Sequence, residues 1–294
     1  MFLLVGGDSE IGAWTYRHLT TSGKAAAATT RRPERASDDR PLLDLAADLS
    51  AWQPPAGTSA ACIFAANARL AACAADPSGS AYVNVDQTLA LAEKLTARGA
   101  YVLFLSSNQV FDGSAAGVPA DSVPCPVSEY GRQKARAEAA LRDRMLRGAP
   151  VAILRLAKVV SPTMPLLQDW MRALSAGVPI RAFHDMTMAP VPIGLVSAAI
   201  AALMESRAPG LFQLTGPQDV SYTDVARHLA DRLGAAPALV TPVSAHEAGM
   251  PDGATPRHTT LDSTALRQRF GIVAPGPWEV VDAVADGARQ SSGA

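Results

Sequence analysis

The sequence predicts an α/β fold built on a doubly wound parallel sheet, and three observations predict it. The apolar run Phe2-Leu3-Leu4-Val5 leads into glycines and then into a helical pattern, the opening of a βαβ unit. Short apolar runs then alternate with amphipathic segments through the first half of the chain. Those runs are apolar at consecutive positions, so both faces of each strand are covered, as in a parallel sheet flanked by helices.

In chain order, Phe2 to Val5 is the first strand, and Ile11 to Thr21 is a helix ended by Gly23, where a left-handed cap is wanted. A second strand fits Ala25 to Thr30. Apolar runs at Leu42 to Leu45, Ala60 to Ala66, Tyr101 to Ser106 and Val151 to Leu156 continue the strand series. Between them lie helical segments at Ser128 to Arg147 and at Ser80 to Arg98, the latter with Tyr82, Val85, Leu89, Ala92 and Leu95 on one face. After about residue 158 the pattern loosens around prolines 162, 165, 179, 190 and 192. A helix follows from Ser221 to Leu233, with Ser221 as its N-cap and Gly234 as its stop. Residues 1–157 are expected to form a nucleotide-binding domain. Residues 158–294 should be mainly a substrate-binding lobe, with segments returning to the core, and a frayed tail from Gln290.

The totals exclude several function classes. Over 294 residues, 26 basic and 27 acidic side chains leave a net charge of -1, with no basic run beyond Arg31-Arg32, so a nucleic-acid partner is not expected. Cysteines 62, 73 and 125 lack CxxC spacing, and the five histidines are scattered, so neither a disulfide framework nor a metal site is expected. Met1 to Val5 is too short for a signal peptide or a membrane span, and Pro192, Gly194 and Ser197 interrupt Val191 to Met204. A soluble, cytoplasmic protein without a membrane partner is expected.

Four groups of residues carry chemistry. Gly6-Gly7-Asp8-Ser9-Glu10-Ile11-Gly12 follows a strand and opens a helix, where small side chains and free backbone N–H groups suit a pyrophosphate, so Gly6, Ser9, Glu10, Ile11 and Gly12 are candidate cofactor residues. Arg31 and Arg32 fall just past the second strand, where the adenosine ribose of a dinucleotide would lie. Guanidinium groups there suit a 2′-phosphate and hence NADPH, with NADH and two merely solvated arginines as the alternatives. Tyr130 and Lys134 share one helix face, and an ammonium beside a phenol is expected to lower the phenol's pKa and make Tyr130 a proton donor. Ser107 follows a buried strand at the crevice, where its hydroxyl can hold a substrate carbonyl; strand-end serines are common turn residues, so its meaning comes from Tyr130 and Lys134.

Glycine turn, strand-end serine and Tyr-x-x-x-Lys, in that order, resemble the extended short-chain dehydrogenase/reductases. Asp44-Leu45 matches that family's adenine-side pair, Ala65-Ala66-Asn67 its cofactor-lining segment, and Tyr82-Val83-Asn84-Val85 its asparagine-containing helix. Val110-Phe111-Asp112-Gly113, Arg155, Asp185, Pro190, Arg257 to Asp262 and Trp278 resemble the dTDP-4-dehydrorhamnose reductase group. Three departures stand out: Ser9 for a glycine, Asn108-Gln109 for Asp-Tyr, and Gly194-Leu195 for acidic residues.

The resemblance implies a Rossmann-type fold and an oxidoreductase with Ser107, Tyr130 and Lys134 as catalytic residues. It further implies that Asp44, Leu45, Ala65, Ala66 and Asn67, with Tyr130 and Lys134, touch the cofactor. The implied substrate is a small molecule, a keto group on a nucleotide-linked deoxysugar, and the common assembly of the family is a homodimer. Asn108 and Gln109 cannot transfer protons, which argues against the family's dehydratases. An NAD-dependent epimerase remains, although epimerases usually carry Arg-Asp where this chain has Met188-Ala189. So does a non-catalytic, NADP-binding subunit resembling the regulatory subunit of methionine adenosyltransferase.

Overall fold

The computed structural model describes residues 1–251 and 254–292. Its centre is a six-stranded, all-parallel sheet in the order β2-β1-β3-β4-β5-β10, formed by Phe2–Val5 (β1), Ala26–Ala28 (β2), Ala60–Ile63 (β3), Tyr101–Ser107 (β4), Val151–Leu156 (β5) and Gly210–Leu214 (β10). Successive residues of a strand enter opposite faces. Leu4, Cys62, Leu103 and Leu154 pack toward Glu10–Thr21 (α1) and Ile193–Ser206 (α7), whereas Leu3, Ile63, Phe104 and Ile153 pack toward Thr88–Thr96 (α4) and Glu129–Leu146 (α5). Two buried faces explain the unbroken apolar runs.

Two expectations change. Leu42 to Leu45 is not a strand, although a single bridge joins Thr30 to Leu42. Pro41 lacks a donor, and Asp44 turns the chain by accepting from the Ala46 N–H at 2.9 Å; Leu43 and Leu45 are still buried. The helix expected over 80–98 is composite: after the short helices Leu70–Ala75 (α2) and Pro77–Ala81 (α3), a π-helical turn at Tyr82–Gln87 precedes α4. The wider turn shifts the helical phase, so Tyr82 is exposed while Asn84, Val85, Thr88, Leu91 and Leu95 are buried.

After β5 the chain makes short pairings: Val159–Val160 (β6) with Val191–Pro192 (β9), Ile180–Phe183 (β7) with Val240–Val243 (β12), and Thr187–Met188 (β8) antiparallel to Val220–Ser221 (β11). Pro165–Ser175 (α6), Tyr222–Leu233 (α8) and Pro277–Ser292 (α10) enclose a second apolar cluster around Trp170, Tyr222, Leu229 and Val281. The helix α8 carries the expected Ser221 cap, as a full capping box with Asp224, and closes at Gly234. α7 and β10 return to the sheet, and Thr264–Phe270 (α9) packs on β10. The chain is helical to Ser292, past the point where fraying is expected, and Gly293 and Ala294 lie outside the described residues. Among the described residues no helix is long and apolar enough to cross a membrane.

Candidate active site

The glycine turn between β1 and α1 is shaped by close approach. Gly6 has φ +99°, and a Cβ there would meet the Ala65 nitrogen at 2.9 Å; one at Gly12 would meet the Gly6 carbonyl oxygen at 2.5 Å. Ser9 is the N-cap of α1, accepting from the Gly12 N–H at 3.1 Å and donating to the Gly6 carbonyl at 2.7 Å. It therefore ties the two glycines together where the family has a third glycine. Thr29, which the sequence did not single out, anchors the turn: its Oγ1 accepts from the Gly6 N–H at 3.0 Å and its carbonyl from the Gly7 N–H at 2.9 Å. The N–H groups of Glu10 and Ile11 have no acceptor among the described residues, as at any open helix start. A bare, cradled backbone with outward N–H groups fits a pyrophosphate.

A cleft of about 710 Å³ opens from this turn. Gly6 and Ser9 line it from the glycine turn, and Arg31 and Arg32 from beyond β2. Asp44 and Leu45 contribute from the following loop, and Ala65, Ala66 and Asn67 from beyond β3. Of the residues expected to touch the cofactor, Glu10, Ile11, Gly12, Tyr130 and Lys134 are not among its lining residues. The Glu10 carboxylate is instead hydrogen-bonded by the hydroxyls of Ser161 and Thr163, and Ile11 packs against the core. Asp8 and Arg69 also line the cleft; Asp8 stands inside the glycine turn without having been singled out, and Arg69 falls in no recognisable pattern. Partial burial raises the Asp8 pKa, but the Thr30 hydroxyl and the charges of Arg40 and Arg32 outweigh it and hold the carboxyl below its usual range. Arg40 and Arg35 both pair with Asp8, whereas Arg31 and Arg32 form no direct ion pair among the described residues.

The catalytic candidates stand at the C-terminal end of the sheet. Ser128 caps α5 by accepting from the Gly131 N–H at 3.0 Å, which puts Tyr130 in the first turn and Lys134 one turn later. Lys134 Nζ donates to the Leu105 carbonyl at 2.8 Å, 4.3 Å from the Phe104 ring centroid and 5.9 Å from that of Tyr130. Burial lowers the Lys134 pKa to about 8 against the opposing pull of Glu138, and burial pushes the Tyr130 phenol well up. This corrects the expected direction for Tyr130: both groups are stripped of water, and desolvation raises the phenol, with Cys73 adding to the rise. Ser107 ends β4, its Oγ accepting from the Gln109 N–H at 3.2 Å and lying 3.3 Å from Asn108 Oδ1, while the buried Ser106 hydroxyl has no partner among the described residues.

Asn108 and Gln109 have local uses. Asn108 engages Ser107, and Gln109 Oε1 accepts from Ser128 Oγ at 3.3 Å, at the start of α5. The cleft and α5 are joined through Asn84. It accepts from the Asn67 N–H at 2.7 Å and donates to the Asn67 carbonyl at 2.9 Å and to Gln133 Oε1 at 2.7 Å. Gln133, between Tyr130 and Lys134 on α5, passes the contact on to Ser80 and Glu129.

A family profile described as "RmlD substrate binding domain" matches residues 1–288. The chain belongs to this family. Relatives by sequence include the probable low-salt glycan biosynthesis reductase Agl14 of Haloferax volcanii, 27% identical over 69% of each chain. The dTDP-4-keto-6-deoxy-D-glucose reductase of Streptomyces niveus is 28% identical over 68% of this chain and 74% of its own. Methionine adenosyltransferase 2 subunit beta of Pongo abelii is 23% identical over 69% of this chain, and only 62% of that protein's length is spanned. The fold is shared with a dTDP-4-dehydrorhamnose reductase from Clostridium acetobutylicum, at TM-score 0.81 and 18% identity over 98% of this chain and 99% of that one. It is shared also with MoeE5 in complex with UDP-glucuronic acid and NAD, at TM-score 0.79 and 24% identity over 99% of both chains. The RmlD assignment bears out the extended short-chain dehydrogenase/reductase resemblance and the Rossmann-type α/β class.

Proposed function

We propose that the protein is an NADPH-dependent reductase of a keto group on a nucleotide-linked deoxysugar. One observation carries the reading: a dinucleotide-sized cleft, lined by two arginines that form no direct ion pair among the described residues, leads from the glycine turn, and Ser107, Tyr130 and Lys134 stand at the same end of the sheet. The name of the dTDP-4-keto-6-deoxy-D-glucose reductase among its relatives supports the substrate class.

The Gly6–Gly12 turn holds the pyrophosphate, Arg31 and Arg32 the 2′-phosphate, and Ala65 to Asn67 the adenosine side of the cofactor. Asp44 and Leu45 close the adenine end. When bound, NADPH supplies the hydride. Ser107 orients the substrate's carbonyl oxygen, and Tyr130 gives its phenolic proton to that oxygen. The phenol is protonated at neutral pH and so has the proton to give. Lys134 sets the electrostatics around the phenol and touches the cofactor's ribose, while residues 158–294 mainly supply the lobe that selects the substrate.

Titration with NADPH and NADH, read by nicotinamide fluorescence, tests this. NADPH should bind tighter, and Arg31→Ala/Arg32→Ala should weaken NADPH by at least about tenfold, the scale of one charge-assisted contact, while leaving NADH nearly unchanged. Binding of neither nucleotide to the wild type would overturn the reading. The likeness to methionine adenosyltransferase 2 subunit beta favours a second reading, a non-catalytic NADP-binding subunit. Ser107, Tyr130 and Lys134 together argue against it, because a scaffold has no need of a proton donor.

A further inference from the structure

Asp8 places a carboxylate in the cleft proposed for an anionic cofactor, where an unopposed negative charge would work against binding. It lines that cleft together with Arg31 and Arg32, and its side chain is only 18% exposed. Both of its oxygens are engaged from the segment that follows β2. Oδ2 accepts from Thr30 Oγ1 at 2.7 Å, and Oδ1 accepts from the Arg40 guanidinium at 3.1 Å, with that of Arg35 at 3.8 Å. The partners of this carboxylate thus come from the same segment that carries the two cleft arginines.

The Thr30 hydroxyl extends the connection. While donating to Asp8 it accepts from the Arg32 N–H at 3.1 Å, so a relay of two hydrogen bonds runs from the glycine turn to the backbone of Arg32. Thr30 is itself fixed: its N–H donates to the Pro41 carbonyl at 3.1 Å, its carbonyl accepts from the Leu43 N–H at 2.8 Å, and it is fully buried. The segment 31–42 is therefore tied at its base by backbone bonds and at Asp8 by Thr30, Arg35 and Arg40. Arg31 and Arg32 line the cleft, whereas Arg35 and Arg40 do not. An arginine that grips a ligand loses rotamer freedom, and a backbone fixed beforehand leaves less to be lost on binding.

We propose that Asp8 is a positioning residue for 2′-phosphate selectivity, holding the backbone of the Arg31-Arg32 pair through Thr30 while engaging Arg35 and Arg40 itself. The inference rests on the reading of Arg31 and Arg32 as the site of the cofactor's 2′-phosphate. Asp8 acts through the arginines and does not touch the phosphate.

The test measures NADPH and NADH affinities by nicotinamide fluorescence in wild type, Asp8→Ala, Asp8→Asn, Thr30→Val and Arg31→Ala/Arg32→Ala, and reads the ratio of the two. Asp8→Ala and Thr30→Val should each lower the preference for NADPH at least about fivefold, a large part of what one charge-assisted contact carries. NADH, which lacks the 2′-phosphate, should bind no more weakly than to wild type, which also reports that the variants are folded. Thr30→Val is the stricter variant, because it breaks the relay without changing any charge. Asp8→Asn should recover most of the preference, since an amide oxygen still accepts from the Thr30 hydroxyl. Ratios within about twofold of wild type in Asp8→Ala and Thr30→Val overturn the proposal. A preference that rises in Asp8→Ala overturns it too, by making the carboxylate only a repelling charge, and so does an equal loss of both nucleotides, by making Asp8 only a part of the turn. The reading beneath it fails differently: a wild type without preference for NADPH, or a preference that survives in Arg31→Ala/Arg32→Ala, removes the 2′-phosphate site and the role of Asp8 with it.

Discussion

Lys134 holds its ammonium inside the protein against one carbonyl and two ring faces, with its pKa at about 8 compared with 10.5 in the open chain. Between those values the unfolded chain keeps a proton that the folded chain has released, so stability rises as pH increases from about 8 to about 10.5. Below that window the burial costs about 3 kcal/mol. Lys134→Met should therefore melt at pH 7 no lower than wild type and lose that rise in stability, as pH-dependent thermal denaturation would read, while turnover disappears. Tyr130→Phe should abolish turnover and leave NADPH affinity within about twofold, because it removes one oxygen from a ring whose packing is unchanged; retained activity would exclude Tyr130 as the proton donor. At this scale the residue types were legible and their environments were not. The Tyr130–Lys134 spacing follows from helix geometry, but the raised phenol pKa comes from burial that no local pattern records. Thr29 anchors the glycine turn from 23 positions away from Gly6, out of reach of any motif.

At the scale of elements, α5 begins where it does because Gly131 has no side chain. A Cβ there would meet the Gln109 carbonyl oxygen at 2.1 Å, and that oxygen is backbone of the turn just after β4. Gly131→Ala should cost at least about 1–3 kcal/mol of stability, the usual price of overpacking, with a parallel fall in turnover as Tyr130 moves relative to Ser107; chemical denaturation and steady-state rates would check both. The π-helical turn at Tyr82–Gln87 has a comparable role, since it carries the Asn84 that clamps Asn67 and meets Gln133. A uniform 3.6-residue period cannot reveal such a turn. The cap of α8 was legible because Ser221 bonds an N–H only three residues on; Ser9 and Ser128 cap α1 and α5 over the same spacing but were not read as caps.

Across the whole molecule, the buried Arg155–Glu138 pair ties the sheet to α5, the helix that carries Tyr130 and Lys134. Arg155 on β5 meets both carboxylate oxygens of Glu138 on α5, with the closest contact at 2.6 Å, and also donates to Gln213 on β10 and to the Ala120 carbonyl. Both side chains are essentially inaccessible, at 0% and 1%. Glu138→Gln should cost about 3–5 kcal/mol by leaving a buried guanidinium uncompensated, and Arg155→Met/Glu138→Leu should recover most of that in denaturant midpoints. An unchanged midpoint for Glu138→Gln would show that the pair does not hold the helix to the sheet. By itself the sequence determined the parallel α/β core, the glycine turn, α1, α5 and α8, and the residue types at the chemical site. Each of these depends on a period, a cap or a spacing that acts within a few residues. Only the tertiary structure decided that Leu42 to Leu45 is a buried loop, that the segments returning to the first sheet are β10 and α7, and that Glu10 is engaged by Ser161 and Thr163. Those outcomes depend on burial and pairing between residues far apart in the chain, where a two-residue strand or a displaced pKa has no local signature.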